Sequence, residues 1–253
     1  MDKTVILKAE ASASGCSDAD IYFKQAQIYK NSGCYRKAAV NYLKSILINP
    51  RNIEAHLGLA CSYKNLERYD KALKALEKAE KINPFDFNVH KELAVCFIIK
   101  NDFEKGLKHL ISAVKLNPSN PDIQIQLALV HQMIEEDNMA LMIYQKIIET
   151  NPECKRAYIQ KAALYMHLED YVSSAGMFRE ILKINPSYSR AYMALGICWE
   201  KLGNTRAAAR YYKKYLKISN NRINNIEAEK RLKKLKTALD RTNSLKLAYS
   251  KPL

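Results

Sequence analysis

Glycine and proline are scarce in this chain, seven of each among 253 residues. Strands linked by tight turns draw on both, so their scarcity favours helix throughout. Long apolar runs are missing as well. None approaches the ~18 residues of a membrane-spanning helix. The six cysteines (Cys16, Cys34, Cys61, Cys96, Cys154 and Cys198) form no C-x-x-C pair, and no histidine stands near one at zinc spacing. They read as reduced, small apolar residues in a cytoplasmic setting. Ala13-Ser14-Gly15-Cys16 has the form of a lipoprotein cleavage box, but only Val5-Ile6-Leu7 precedes it as an apolar run. A signal peptide needs roughly 7–15 such residues, so residues 1–18 are expected to be a flexible leader.

Catalytic signatures are equally missing. There is no H-E-x-x-H, no phosphate loop and no G-x-S-x-G. The five histidines are scattered, and His56 and His90 read as packing residues. The expectation is a chain that is not an enzyme and uses no cofactor and no metal.

What is present is a period. Asn-Pro recurs at 49–50, 83–84, 117–118, 151–152 and 185–186, always at the same interval. A constant period of about 34 residues is that of stacked helical hairpins. Six frames follow: 19–52, 53–86, 87–120, 121–154, 155–188 and 189–222. Position 8 of each frame is small (Ala26, Ala60, Ala94, Ala128, Ala162, Gly196), as is position 20 (Ala38, Ala72, Gly106, Ala140, Ser174, Ala208). Position 24 is large: Tyr42, Leu76, Leu110, Tyr144, Phe178 and Tyr212. Each frame therefore reads as two helices of about 14 residues that approach closely at the small positions. Proline ends the second helix by pushing the residue before it out of the helical region. One hairpin cannot bury its apolar face, so neighbours stack. Asp137 and His131 break the aromatic pattern of the fourth frame, and Gly106 replaces alanine in the third, where a helical glycine costs about 1 kcal/mol. These two frames are expected to be the softest.

This pattern resembles the tetratricopeptide repeat family over residues 19–222. The resemblance implies an all-α, right-handed α-solenoid of six helix-turn-helix repeats, closed by a C-terminal capping helix within a basic segment, 223–253. It further implies a protein-interaction scaffold whose first helices line a concave groove, chiefly through positions 2, 5, 9, 12 and 13. Those positions hold Leu57, Cys61, Val95, Ile98, Ile125, Leu129, Met133, Ile159, Met166, Met193 and Ile197. An apolar strip of this kind marks a binding site for a peptide or helix of a partner protein; the other reading is partial burial between neighbouring first helices. The chaperone-tail clamp known in the family is not matched, since Phe23, Gln27, Gly58, Asn88 and Glu92 stand at or near its positions.

Acidic residues are few where basic ones gather. Residues 201–253 carry 15 Lys and Arg against 3 Asp and Glu, a net +12 of the chain's +15. Position 2 turns basic at Arg156 and Arg190, and a run containing Lys230, Arg231, Lys233 and Lys234 occupies the expected cap. Three readings remain open: a solvated cap, a surface for an acidic protein, or contact with nucleic acid or an anionic membrane. Alongside the scaffold therefore stand a nucleic-acid-associated protein and a structural subunit of a larger assembly. In the cap, Ile226, Leu232, Leu235 and Leu239 are expected to share the packed face.

Overall fold

A computed structural model describes residues 17–219 and 225–237. The described residues contain thirteen helices and no strand. The first helices of the frames are α1 (Asp18–Asn31), α3 (Ile53–Asn65), α5 (Phe87–Ile99), α7 (Pro121–Met133), α9 (Lys155–His167) and α11 (Ser189–Lys201). The second helices are α2 (Tyr35–Ile48), α4 (Tyr69–Ile82), α6 (Phe103–Leu116), α8 (Asp137–Thr150), α10 (Tyr171–Ile184) and α12 (Thr205–Ile218). Helix α13 spans 225–237. The starts of the second helices keep the constant interval of the Asn-Pro pairs. Ser17 caps α1 in a reciprocal capping box with Asp20, so Asp18 is already helical. The rest of the expected leader lies outside the described residues.

Local chemistry explains the grid. The Asn of each Asn-Pro is the C-cap of a second helix, with φ between −123° and −141°. Its Oδ1 accepts from the backbone N–H two residues on in Asn49–Arg51, Asn83–Phe85 and Asn185–Ser187, an Asx turn that redirects the chain. The proline carbonyl is then taken by position 4 of the next frame. His56 Nε2 lies 3.0 Å from Pro50 O, His90 Nε2 2.8 Å from Pro84 O, and the Tyr192 hydroxyl donates to Pro186 O at 3.0 Å. Each first helix ends through a residue in the left-handed region at position 15: Gly33, Glu67, Asn101, Glu135, Glu169 and Gly203.

The small positions face the partner helix as expected. Ala26, Ala94, Ala128 and Ala162 at position 8, and Ala38, Ala72, Ala140, Ser174 and Ala208 at position 20, have no exposed surface. Gly106 is a point of close approach: a Cβ added there would lie 2.8 Å from Ile98 Cγ1.

The described residues divide into two compact units, one ending at Ile134 and the other beginning at Glu135. The division falls in the turn between α7 and α8, within the frame whose aromatic pattern Asp137 interrupts. The first unit is cored by Tyr42, Leu59, Leu76 and Leu93, continued by Leu110, Ile123 and Val130. The second is cored by Phe178, Ile181 and Leu195, and by Tyr192, Tyr212 and Tyr215, against which Ala228, Leu232 and Leu235 of α13 pack. Ala228, rather than Ile226, completes the packed face of the cap. Ile226 points away and is 66% exposed, because it stands about 200° around the helix from Ala228 at 100° per residue. Leu239 lies outside the described residues.

Candidate functional site

In the first unit the first helices are neighbours: α1 touches α3, and α3 touches α5. Their shared face holds a cavity of about 280 Å³. From α1 come Phe23, Gln27 and Lys30, from α3 Glu54, Leu57, Gly58 and Cys61, and from α5 Asn88, Lys91 and Glu92, with Tyr42 of α2 at the floor. Apart from Gly58, Glu92 and Tyr42, these are positions 2, 5, 9 and 12 of successive frames. Glu92 is pinned by Lys64 Nζ at 2.6 Å, and Lys91 Nζ is 3.6 Å from its other oxygen. Desolvation of Lys64 is outweighed by its bond to Glu92 and by that residue's charge, leaving its pKa raised. The Phe23 ring meets Tyr42 edge-on at 5.9 Å. Burial pushes the Tyr42 phenol up to about 12, so it stays a neutral donor.

The expected groove residues separate into groups. Leu57 and Cys61 line this cavity. Val95 and Leu129 are half-buried on their own helices. Met133 is 59% exposed at the end of α7. In the second unit Ile159 and Met166 lean on the core around Phe178, while Met193 and Ile197 lean on the core around Tyr212. Partial burial therefore accounts for much of their apolar character.

One assignment needs correction. Ile125 has no exposed surface. It lies one helical turn before the fully buried Ala128, so it belongs to the covered face of α7 and presents nothing to a ligand. Ile98 is half-buried like Val95 and leans on the core of Leu110 and Ala113, its Cγ1 set against Gly106. The glycine lets α6 approach at that contact. The cavity also departs from an apolar floor, because Lys30, Glu54, Lys91 and Glu92 stand among its walls.

The basic residues divide similarly. Arg190, Lys230, Lys233 and Lys234 are exposed, as is Arg156. Arg231 is engaged instead. Its Nη1 donates to Glu200 at 3.1 Å and its Nε to Glu227 at 2.7 Å. Glu200 also accepts the Tyr212 hydroxyl at 2.6 Å. Arg231 thus ties α13 to α11 and α12 rather than joining an open basic face.

One cluster escaped the sequence. Glu80 of α4, His90 of α5 and His109 of α6 bring their side-chain donor atoms within 4.8 Å of one another. They come from two frames and three separate helices, and no short motif signals them. Position 4 suggested only packing for His90, and it does pack: its Nε2 holds Pro84 O. Its other nitrogen faces the cluster.

Models described as Tetratricopeptide repeat match residues 19–52, 53–86 and 161–223, together more than half of the chain. Among curated proteins none matches the chain in sequence. Several solved structures share the fold. A structure from the functional characterization of Pseudomonas aeruginosa pilF is 17% identical, covering 83% of this chain and 96% of that one at TM-score 0.64. A tetratricopeptide repeat protein from Parabacteroides merdae is 16% identical over 92% of this chain and 90% of its own, at TM-score 0.62. YrrB, described as a TPR protein with an unusual peptide-binding site, is 17% identical over 75% and 97%, at TM-score 0.57. At these identities the likeness concerns the fold.

Proposed function

Because the chain belongs to the tetratricopeptide repeat family, we propose that it is a protein-interaction scaffold. It holds an extended segment of a partner protein against the first helices α1, α3 and α5. One observation carries this reading: the first unit has a cavity at the positions through which the family's first helices line a groove. YrrB, a relative in fold, has a peptide-binding site, which supports the same reading.

The wall chemistry shapes the ligand. Phe23 and Leu57 offer apolar area, so one apolar side chain of the segment is buried there. Gln27 and Asn88 supply both donors and acceptors for the segment's peptide groups, which would otherwise lose water without a partner. Lys30 and Lys91 against Glu54 and Glu92 favour a segment of mixed charge over a uniformly acidic one.

The test is selection from a random peptide library against the full chain. Selected peptides should bind Gln27→Ala and Asn88→Ala at least about tenfold more weakly, a loss of ~1.4 kcal/mol, with unchanged thermal unfolding. Peptides indifferent to both substitutions would place the binding face elsewhere. Peptides whose affinity collapses between about 50 and 200 mM salt would point instead to the basic C-terminal segment.

A further inference from the structure

We propose that Glu80, His90 and His109 form a binding site for one divalent transition-metal ion, with zinc the best fit. The geometry comes first. His90 Nδ1 and His109 Nδ1 are 3.1 Å apart. Glu80 Oε1 lies 3.6 Å from the first and 3.8 Å from the second. Ligand atoms about 2.0–2.2 Å from a tetrahedral ion sit roughly 3.4 Å from one another. The three observed separations bracket that value, so shifts of a few tenths of an ångström complete the triangle. Two imidazoles and one carboxylate suit zinc and its neighbours, whereas calcium and magnesium prefer all-oxygen sites.

The surroundings favour the same assignment. A carbonyl oxygen only accepts, so the 2.8 Å contact of His90 Nε2 with Pro84 O places the proton on Nε2. The neutral ring then presents a lone pair at Nδ1, toward Glu80 and His109. A backbone carbonyl fixing the tautomer of a ligating histidine is the usual supporting contact at metal sites. The His109 ring has two flat neighbours, with the Phe97 centroid at 5.5 Å and its plane within 7° of parallel, and the His90 centroid at 5.4 Å. Its orientation is thus set before any ion arrives.

Without an ion the short nitrogen–nitrogen contact needs a proton between the rings, so His109 donates from Nδ1 to His90 Nδ1. An ion takes the place of that proton. The His109 proton moves to Nε2, and both Nδ1 lone pairs and the carboxylate turn to the metal. No net proton is released. The fourth coordination position is left to water or to a donor from a partner. The three ligands come from α4, α5 and α6, so an ion would clamp the second frame to the third. Binding would raise thermal stability by mass action.

The test uses the full chain, metal-stripped and reduced, titrated with Zn²⁺ by calorimetry and with Co²⁺ by visible absorption. The expected result is one ion per chain, a tetrahedral cobalt spectrum and a higher Tm. His90→Tyr keeps a donor for Pro84 O, as Tyr192 does for Pro186 O, but removes the ligating nitrogen. It and His109→Leu should weaken binding at least about tenfold while helicity is retained. His56→Tyr should leave binding unchanged. Absence of saturable one-to-one binding by wild type, or its survival in His90→Tyr/His109→Leu, would overturn the assignment.

Discussion

The ring of Tyr42 occupies the space that a side chain on Gly58 would need. A Cβ added to Gly58 would lie 2.5 Å from Tyr42 Cε1 and 2.7 Å from its hydroxyl oxygen. The tyrosine belongs to one frame and the glycine to the next, so the pair sets how closely α2 and α3 pack. Gly58→Ala gains about 1 kcal/mol of helix propensity but meets a fully buried ring, and overpacking costs typically about 1–3 kcal/mol. Net destabilisation is expected in urea unfolding. Leucine already fills the position equivalent to Tyr42 in the next two frames, so Tyr42→Leu should rescue Gly58→Ala. If Gly58→Ala alone stabilises the protein, the ring is free to move and this packing argument is wrong.

The left-handed residues give a second prediction. Glu67 and Glu169 hold φ of 58° and 59° where Gly33 and Gly203 do the same job without a Cβ. A left-handed residue with a side chain costs roughly 1–2 kcal/mol, and glycine loses part of that benefit in unfolded-state entropy. Glu67→Gly and Glu169→Gly should each stabilise by about 0.5–1 kcal/mol on that balance. Gly33→Ala and Gly203→Ala should destabilise. Chemical denaturation of the four variants checks the sign at each site.

Arg231 and its lysine neighbours should behave differently. Arg231→Gln removes two charge-assisted bonds, one of them to the carboxylate that also holds Tyr212. The guanidinium is a third exposed, so the cost is discounted to about 1 kcal/mol. Hydrogen exchange in α13 should rise. Lys230→Gln, Lys233→Gln and Lys234→Gln together should stay within about 0.5 kcal/mol of wild type. Equal effects from the two sets would return Arg231 to the solvated face.

His56 sets a pH dependence. Burial depresses its pKa below the ordinary 6.5, and its buried Nδ1 has no hydrogen-bond partner among the described residues. The unfolded chain therefore takes up a proton near pH 6.5 that the folded chain resists. Its contribution to stability is complete above that pH and declines as pH falls below it. His56→Tyr, with the residue type of Tyr192 at the same position, should lose less Tm than wild type between pH 7 and pH 5. Parallel decline of the two proteins would show that other groups govern the acid limb.

The sequence made some of this legible and hid the rest for physical reasons. Asn-Pro, the small pairs at positions 8 and 20, and the rings at 24 are local or periodic, and they predicted where helices begin, end and touch. Side-chain direction within a first helix was harder. Ile125 occupies a groove-type position, yet it has no exposed surface and belongs to the covered face of α7 with Ala128. Arg231 looked like one of four equivalent charges because its partner, Glu200, stands on α11, with the whole of α12 between them in the chain. The Glu80, His90 and His109 grouping depends on three helices meeting, and no spacing rule spans them. Kinship in architecture supplies no ligand, so the cavity chemistry comes from this chain alone.

The hydrogen bond from position 4 back to the preceding proline redefines what a transplantable module of this protein is. A cut placed just after Pro50 or Pro84, where the repeating dipeptide invites one, would strand His56 or His90 with a buried N–H that has lost its acceptor. A fragment begun at Asn49 or Asn83 keeps the turn, the proline carbonyl and the ring together. Whoever shortens, permutes or grafts these hairpins should carry the preceding Asn-Pro along with them.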